Sequence, residues 1–599
     1  MRGIPTIRSA SPLPFTIHTC ALPMALSRPG APRGTTSPDR NPDDSARGIA
    51  PGSIRRRWCR PLRPASTSWS HSAALPATVA CCRAMKACFS ASIATVAGES
   101  RRDRRWARSG RHTVRHTTGL CASVLQMRRL TLLCLVSVLA VPAALVVGAE
   151  PPLAWPQFRG PQGGGILADG TLPSSWDTKR NVAWSVEVKG RGWSSPVAWE
   201  GTVFVTSAIS PGAFKAPSAG IFGNDYAAAL AKQGLSDDEV TKRVVSRDIE
   251  LTSESGEIRY MVYAFDARNG QLKWEREAHQ GAPFGGRHRK NTFASETPAT
   301  DGERLYAYFG NVGLFAYSLD GKLSWSVKSD PQPVYLDFGT AASPVVHDGR
   351  VFIVHDNDGQ SFAAAFDART GTPLWRVERD LPAGGVKSGW SSPFVWQNDR
   401  RTELIVIGRQ HAISYDPQTG SELWRLRGLT GQSTPSPVSA DGLLYLATGS
   451  QGESNRPVFA VKPGADGDIS LARGEESIAF VAWFHPRASA YTSSPLVYRG
   501  RMYVVNDNGI LTVFDSKTGK EIYKARAGGA GNTFSASPWA ADGKIYLLSE
   551  DGHTFVIEAG DAYKELSKNS LDEMSLASPA LAPDTIFLRT QTRLYRIGK

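Results

Sequence analysis

Short apolar runs separated by turn residues repeat along the C-terminal three quarters of the chain. In residues 493–525 the runs SSPLVY, RMYVV, ILTVFD and KEIYKA are rich in Val, Ile, Tyr and Phe, and the turns RG, NDNG and SKTG divide them. Runs of about 4 to 8 β-branched and aromatic residues between Gly- and Asp-bearing turns are typical of strands joined by tight hairpins. The pattern predicts four antiparallel strands in this unit.

A Ser-Pro or Thr-Pro dipeptide opens each of eight such units. The spacings between successive units are 102, 46, 49, 44, 58, 43 and 41 residues, so all but two fall between 41 and 49. A period of about 20–50 residues is the signature of an array in which each unit packs against its neighbours. Four-stranded antiparallel units in such an array predict an all-β, eight-bladed β-propeller over residues 150–599. The eight prolines are Pro196, Pro298, Pro344, Pro393, Pro437, Pro495, Pro538 and Pro579.

The last unit is too short to form a blade by itself. After Pro579 the chain has room for only three strands, whereas residues 181–188 (NVAWSVEV) precede the first unit and carry Trp184. We expect this N-terminal strand to complete the last blade and close the ring, because closure pairs strand edges that would otherwise be open.

The first spacing of 102 residues contains an insertion. Residues 208–258 interrupt the first blade between its second and third strands, and residues 225–245 are predicted to be partly helical with Ser236 as the N-cap. Two interpretations stay open for the insertion. It is either a tolerated surface excursion or a recognition element that projects from one face of the ring.

Charge and cysteine are concentrated before residue 150. Residues 1–149 contain 22 Lys and Arg against 5 Asp and Glu, whereas the rest of the chain contains 47 basic and 50 acidic side chains. A nearly neutral repeat region lacks the basic surface that a polyanion needs, so no nucleic-acid partner is predicted. All seven cysteines also precede residue 150. The repeat region therefore has no thiol nucleophile and no thiolate metal site.

The N-terminal segment reads as a leader. Residues 127–149 join Arg128 and Arg129 to an apolar run and a small-residue cleavage site, which predicts a signal peptide starting at Met127 and export to the periplasm, cell envelope or medium. The apolar run of about 18 residues would anchor the protein in a membrane if it stayed uncleaved. Residues 1–126 are rich in Arg, Ser and Pro without an apolar period, and we expect them to be disordered or untranslated.

The third and fourth strands repeat a phrase that resembles a known family. AFDARNGQLKW (264–274), AFDARTGTPLW (365–375), SYDPQTGSELW (414–424) and VFDSKTGKEIY (513–523) are similar to the repeat of pyrroloquinoline-quinone-binding-like propellers. That family includes quinoprotein alcohol dehydrogenases and a propeller lipoprotein of the bacterial outer-membrane assembly machinery. The opening WPQFRGP (155–161) also looks like the start of exported members.

The resemblance implies a structural role for the repeated aromatic residue. In the family this Trp docks onto the neighbouring blade, and a buried aromatic side chain removes about 150–250 Å² from water. By match, the docking residues are Trp184, Trp274, Trp325, Trp375, Trp424 and Trp483, with Tyr523 as a weaker equivalent.

The sequence offers no strong catalytic constellation. Asp356-Asn357-Asp358 and Asn506-Asp507-Asn508 could supply calcium ligands, but both precede Gly between two strands, where such residues usually build tight turns. The histidines of the repeat region show no metal-ligand spacing, and the basic loop GGRHRK (285–290) is expected to be solvated. The vicinal disulfide that the resemblance implies for alcohol dehydrogenases has no counterpart in the repeats, since the one Cys-Cys pair is Cys81-Cys82. We therefore predict no catalytic, cofactor-binding or metal-binding residue.

Aromatic residues often stand just ahead of the unit-opening prolines. If each blade starts at its innermost strand, these side chains lie at one mouth of the central channel. They either pack between blades or form a shallow funnel that binds an extended peptide, a glycan or a flat ligand. The candidate residues are Trp193, Phe293, Phe338, Trp390, Tyr491 and Phe534.

These patterns together predict a monomeric, exported propeller that acts as a non-catalytic binding or assembly scaffold at the bacterial cell envelope, with a protein or peptide partner. This role rests on the family resemblance, since a fold does not fix a function. The alternative is a periplasmic quinoprotein oxidoreductase that uses pyrroloquinoline quinone (PQQ) and calcium to oxidise alcohols or sugars; otherwise no cofactor is expected.

Overall fold

The computed structural model describes residues 153–211, 230, 232–236, 239, 243, 251–252, 256–379, 387–450 and 454–598. The predicted leader segments 1–126 and 127–149 lie outside these residues. Among the described residues, no helix has the length and apolarity needed to cross a membrane.

The described repeat region is built from eight four-stranded antiparallel sheets that form an eight-bladed β-propeller, as the sequence predicts. Each blade follows the chain from its first, channel-side strand to its fourth. The strands of blades 1 to 4 are Val197–Trp199, Thr202–Ile209, Ile258–Asp266 and Leu272–Gly281; Ala299–Thr300, Arg304–Phe309, Gly313–Ser318 and Leu323–Lys328; Val345–His347, Arg350–His355, Phe362–Asp367 and Pro373–Glu378; and Phe394–Gln397, Thr402–Ile407, His411–Tyr415 and Glu422–Arg427.

Blades 5 to 7 repeat this order, and blade 8 departs from it only in the origin of its fourth strand. The strands of blades 5 to 8 are Val438–Ala440, Leu443–Ala447, Val458–Val461 and Val481–His485; Leu496–Tyr498, Arg501–Val505, Ile510–Asp515 and Glu521–Arg526; Trp539–Ala541, Lys544–Leu548, His553–Glu558 and Glu565–Ser570; and Ala580–Ala582, Thr585–Arg589, Arg593–Gly598 and Val182–Glu187.

The N-terminal strand closes the ring. Val182–Glu187 pairs antiparallel with Arg593–Gly598, so that Ser185 lies opposite Tyr595 and Glu187 opposite Arg593. The prediction that this segment completes the last blade is confirmed. A cluster of buried apolar side chains joins blades 7, 8 and 1 at this seam and includes Trp155, Trp176 and Trp184.

Five short elements of the described residues lie outside the four-stranded blades. Ala154–Trp155 adds to the first strand of blade 1, and Gly467–Asp468 runs parallel to the fourth strand of blade 4. Leu251–Thr252, in the insertion of blade 1, pairs with Arg287–His288, and Tyr335–Asp337 forms a 3-10 turn before blade 3. The insertion does separate the second and third strands of blade 1. In its described residues the backbone N–H of Glu239 donates to Ser236 Oγ (3.3 Å), which is the N-cap contact that the sequence predicts.

Tight hairpins of one kind join the first two strands of several blades. Asp348 and Gly349 both have positive φ (47° and 68°), as do Asp542 and Gly543 (45° and 72°). Two consecutive positive φ angles define the turn whose twist matches that of antiparallel strands, and Asp-Gly adopts it readily. The second and third strands that follow are almost entirely buried, so the apolar core lies between adjacent blades.

Indole rings link neighbouring blades along the circumference. The Trp274 ring of blade 1 lies against Gly321 of blade 2, where a Cβ would stand 2.7 Å from a ring atom, and Trp274 Nε1 donates to Leu319 O (2.9 Å). Trp184, Trp325, Trp375 and Trp483 make the same pair of contacts with the next blade: a glycine under the ring and a carbonyl on the indole N–H. We call these contacts the Trp docking contacts.

Two of the expected docking residues depart from this pattern. Trp424 is fully buried, but its Nε1 donates to Glu403 Oε2 of its own blade (2.6 Å), because the short strand Gly467–Asp468 lies beside it where a glycine turn would be. Tyr523 packs against the core between blades 6 and 7, and among the described residues its hydroxyl has no hydrogen-bond partner.

Candidate functional site: the central channel

The residue before each unit-opening proline carries a hydroxyl that faces the channel. We call these residues the hydroxyl belt. They are more than nine-tenths buried, and all of them line one cavity of about 560 Å³. The belt consists of Ser195, Thr297, Ser343, Ser392, Ser436, Ser494, Ser537 and Ser578.

Hydrogen bonds run around the belt from blade to blade. The backbone N–H of Ser195 donates to Thr297 Oγ1 (2.9 Å), and the same bond links each member to its counterpart in the next blade as far as Ser578, at distances of 2.9–3.3 Å. Proline holds the residue before it in an extended conformation, which places the N–H of every belt residue alike. The Ser/Thr-Pro repeat is therefore an interblade connection that also forms the channel wall.

A second ring of side chains lies two residues earlier in each blade. Side chains two apart on an extended segment share a face, so the residue three positions before each proline also lines the cavity. In blades 1 and 4 it is Trp193 and Trp390, and elsewhere it is small or aliphatic. The full set is Trp193, Ser295, Ala341, Trp390, Thr434, Thr492, Ser535 and Leu576.

Four of the six predicted mouth aromatics line this cavity: Trp193, Phe338, Trp390 and Tyr491. Phe293 instead packs against the core between blades 1 and 2, and Phe534 is fully buried between blades 6 and 7. The six aromatics precede their prolines by three to six residues, so they do not occupy equivalent positions on the extended segment. The offset alone does not place a ring on the wall, because Tyr491 and Phe534 both stand four residues before their prolines and only Tyr491 lines the cavity. Phe293 and Phe534 were expected at the channel mouth, but their rings pack in the cores between blades.

The wall aromatics are held firmly. Trp193 and Trp390 are 8 and 9 % exposed, and their indole N–H groups donate to Lys290 O (2.8 Å) and Gly339 O (2.7 Å). Phe338 packs against Trp390 and against the imidazole of His288, with ring centroids 6.4 and 4.8 Å apart. The aromatic part of the wall is therefore preformed, and each ring also packs between blades.

The segment 155–167, which we call the plug, crosses the end of the channel near the inner strands. Pro156 O accepts from Thr300 N in blade 2 (2.8 Å), and Leu167 N donates to Ala540 O in blade 7 (3.0 Å). Between these points Phe158 lines the cavity, and Arg159 Nη2 donates to Pro495 O in blade 6 (2.8 Å). The channel is closed at this end by the segment that contains WPQFRGP.

The basic loop expected to be solvated is instead part of the channel mouth. Arg287 and Arg289 are buried, and Lys290 lines the cavity. Lys290 Nζ contacts both carboxylate oxygens of the buried Glu550 at 2.9 Å, and Ser535 Oγ donates to Glu550 Oε1 at 2.6 Å. An ion pair thus joins the loop after blade 1 to blade 7 across the opening.

The two Asp-Asn clusters are used in turns and ion pairs. Asp356 forms a buried pair with Arg379 (2.6 Å), and Asp507 pairs with Arg456 (2.9 Å). Asn357 donates to carbonyls of its own loop, and Asp358 Oδ1 accepts from Ser388 Oγ at 2.8 Å. Among the described residues, no group of three or more His, Cys, Asp or Glu side chains could hold a metal ion.

Sequence reasoning missed the belt as a site, although the signal was present. The Ser/Thr-Pro dipeptides define the repeat period, but their hydroxyl residues are not among the predicted site residues. Comparing residues at fixed offsets from the prolines would have identified both rings. The contribution of Phe158 and Arg159 could not be found this way, because the plug lies outside the repeats.

The architecture and the blade-linking indole contacts define the class as an eight-bladed propeller built from pyrroloquinoline-quinone-like repeats. A family model described as outer membrane protein assembly factor BamB matches residues 259–479 and 481–597, which is more than half of the chain. The chain belongs to this family. No curated protein matches it in sequence.

Two solved structures are similar to this chain at low sequence identity. BamB from Moraxella catarrhalis is 12 % identical with a TM-score of 0.40, over 58 % of this chain and 96 % of that one. Quinohemoprotein alcohol dehydrogenase from Comamonas testosteroni is 13 % identical with a TM-score of 0.48, over 75 % of this chain and 81 % of that one. These likenesses concern the fold alone.

The channel residues do not fit a quinone with its calcium ion. Calcium takes six to eight oxygen ligands, several of them carboxylates, and oxidation by the quinone needs a carboxylate base beside the substrate. The described residues that line the cavity include no Asp or Glu. Glu550, a carboxylate bonded to two lining residues, is fully buried and already binds Lys290 and Ser535.

Proposed function

We propose that the protein is a non-catalytic binding or assembly scaffold of the bacterial cell envelope that holds a segment of another protein in its central channel. The observation that carries the proposal is the composition of the cavity, which combines fixed aromatic rings, hydroxyls and carboxamides without a carboxylate in its described lining. Aromatic walls with a few placed polar groups are typical of recognition sites.

Membership of a family described as an outer membrane assembly factor supports this role over oxidoreductase activity. The quinoprotein alternative has the fold in its favour, but the described cavity lacks the ligands and base that its chemistry requires. The envelope assignment follows from the family and from the signal peptide that the sequence predicts.

Site-specific photo-crosslinking in the native bacterium tests the proposal. A photoreactive phenylalanine analogue placed at Tyr491, in the channel wall, is expected to give one discrete protein adduct that mass spectrometry can identify. The matched control is the same analogue at Leu374, which is 45 % exposed on the fourth strand of blade 3, and it should give no such adduct.

Equal adducts from both positions, or none from Tyr491, would contradict the scaffold role. The purified protein should also be mixed with PQQ and calcium. Stoichiometric binding of the chromophore together with dye-linked oxidation of an alcohol or sugar would overturn the proposal in favour of the enzyme.

A further inference from the structure

Six hydroxyls of the belt keep their proton available to a ligand in the cavity, together with the second lone pair of the oxygen. Each of the six hydroxyls from Thr297 to Ser537 already accepts a backbone N–H from the preceding blade. Among the described residues, none of these six has an acceptor for its own proton. A hydroxyl that accepts a hydrogen bond becomes a better donor through polarisation, so the belt is a ring of convergent O–H donors.

Two buried guanidinium groups lie next to the belt without a carboxylate. Arg159 is 2 % exposed and donates to Pro495 O, beside Ser494; Arg589 is fully buried, and its Nη1 donates to Ser194 Oγ (2.7 Å), beside Ser195. In each, Nε and one terminal nitrogen have no hydrogen-bond partner among the described residues. A buried cation is costly unless an anion compensates it, and burial lowers the pKa of both side chains to about 9.

The closed end of the channel limits what a bound polypeptide can do. A chain that enters at the mouth cannot pass the plug, so it must end inside the cavity. A terminal ammonium has only donors, so it could use only the second lone pair of each belt hydroxyl, and the two buried cations would repel it. A terminal carboxylate has only acceptors, with about four lone-pair sites, and it matches both.

We propose that the cavity captures the C-terminal carboxylate of an extended peptide, with the belt hydroxyls as donors and the wall aromatics around the preceding side chains. The inference rests on the proposed scaffold function and names the part of the partner that is bound. Arg159 and Arg589 supply the positive field beneath the carboxylate rather than direct contacts.

Fluorescence anisotropy with the full-length protein tests the inference. The probes are two pools of degenerate hexapeptides labelled with fluorescein at the N-terminus, one ending in a free carboxylate and the other in a carboxamide. We expect the carboxylate pool to bind at least tenfold more tightly. A third pool, with a free N-terminus and the label at its amidated C-terminus, should not bind.

Two variants locate the effect. R159Q removes the cation below the belt and should bring the carboxylate-to-carboxamide affinity ratio close to one, whereas R159K should keep a clear preference. Because R159Q changes a buried group, circular dichroism must show that it is folded, and the comparison of pools with the wild-type protein remains decisive if it is not.

Equal binding of the carboxylate and carboxamide pools, or binding of neither, would overturn this inference. A discrete adduct at Tyr491 in the same circumstances would leave the scaffold function standing. Failure of the cross-linking experiment alone would remove the scaffold function, so the two failures are distinguishable.

Discussion

Two concentric sets of contacts join neighbouring blades in the described residues, and they use their polar atoms in opposite ways. In the Trp docking contacts each Trp packs its ring face on a glycine, and its one N–H donates to a carbonyl, as Trp274 does with Gly321 and Leu319. In the hydroxyl belt six of the eight side chains accept one hydrogen bond and keep a proton, as Ser392 does with Ser343 N. The five docked indoles have no donor left over, whereas the belt hydroxyls retain theirs. Under the proposed function, the outer contacts serve cohesion alone, whereas the belt serves both cohesion and recognition.

The largest effect is expected at the circumference. Trp274→Ala removes a buried aromatic that both faces its neighbour and bonds to it, and the free energy of unfolding should fall by about 3–5 kcal/mol. Denaturant unfolding followed by circular dichroism measures this. The control is Leu272→Ala on the same strand, 46 % exposed, which should stay within about 0.5 kcal/mol of the wild type. A loss of less than about 1 kcal/mol for Trp274→Ala would refute the cohesive role of the Trp docking contacts, given an expected loss of about 3 kcal/mol or more.

The next largest effect is expected for the pH dependence of stability, and it comes from the buried carboxyl of Glu296, the residue before Thr297 of the belt. Burial raises the pKa of Glu296, whose Oε1 accepts from Thr340 Oγ1 (2.6 Å), to about 7. The folded state therefore holds the proton that the unfolded state releases near pH 4.5, so stability falls as pH rises from about 4.5 to about 7 and then levels. Relative to Glu296→Gln, the wild type should lose about 3 kcal/mol between pH 4 and pH 8.

Denaturant unfolding at the two pH values checks this prediction. Glu303→Gln, at a side chain 75 % exposed, serves as the control and should show the same pH profile as the wild type. A difference between the wild type and Glu296→Gln that does not vary with pH would show that the buried carboxyl does not titrate in this range.

A smaller effect is expected within the belt. Ser392→Ala leaves the buried N–H of Ser343 without its acceptor and should cost about 1–3 kcal/mol. Ser392→Thr keeps the hydroxyl, and Thr297 already occupies the equivalent position in blade 2, so this variant should be close to the wild type. The midpoint of denaturant unfolding distinguishes them. Equal losses for both variants would indicate that side-chain volume, rather than the hydrogen bond, is what matters there.

The smallest effect on stability and affinity is expected for a variant that tests whether the circumference takes part in recognition. Leu374→Arg changes an exposed position of the fourth strand of blade 3 and should alter stability by less than about 0.5 kcal/mol. Affinity for the carboxylate peptide pool should not change, as measured by anisotropy. A loss of affinity would break the division between an outer cohesive ring and an inner recognition ring.

The sequence predicted the fold well because the fold is a local pattern repeated eight times. The proline period, the hairpin turns and the strand that carries Trp184 all express short-range rules, and together they determine the blades and their closure. The bond from the Trp424 indole to Glu403 of its own blade could not be predicted, because it depends on Gly467–Asp468 of blade 5 pairing beside Trp424.

The channel was less predictable for a related reason. Phe293 and Phe534 are aromatic like the wall residues but pack between blades. Their offset from the proline does not reveal this, because Tyr491 has the same offset as Phe534 and lines the cavity. The plug and the Lys290–Glu550 pair bring together residues that are far apart in sequence, the latter by 260 positions. No spacing rule covers such contacts.

Blade 8 delays closure of the ring until the C-terminal strand has been synthesised. Its fourth strand emerges early from the ribosome, but its partner is 408 residues further on, where Arg593 bonds to Ser185. Loop-closure entropy grows slowly, by only about 0.6 kcal/mol for each doubling of length, so this distance costs little once the partner exists. Until then the nascent chain has an unpaired strand edge that can pair with another molecule. Chains that terminate before Arg593 would therefore remain open and prone to associate.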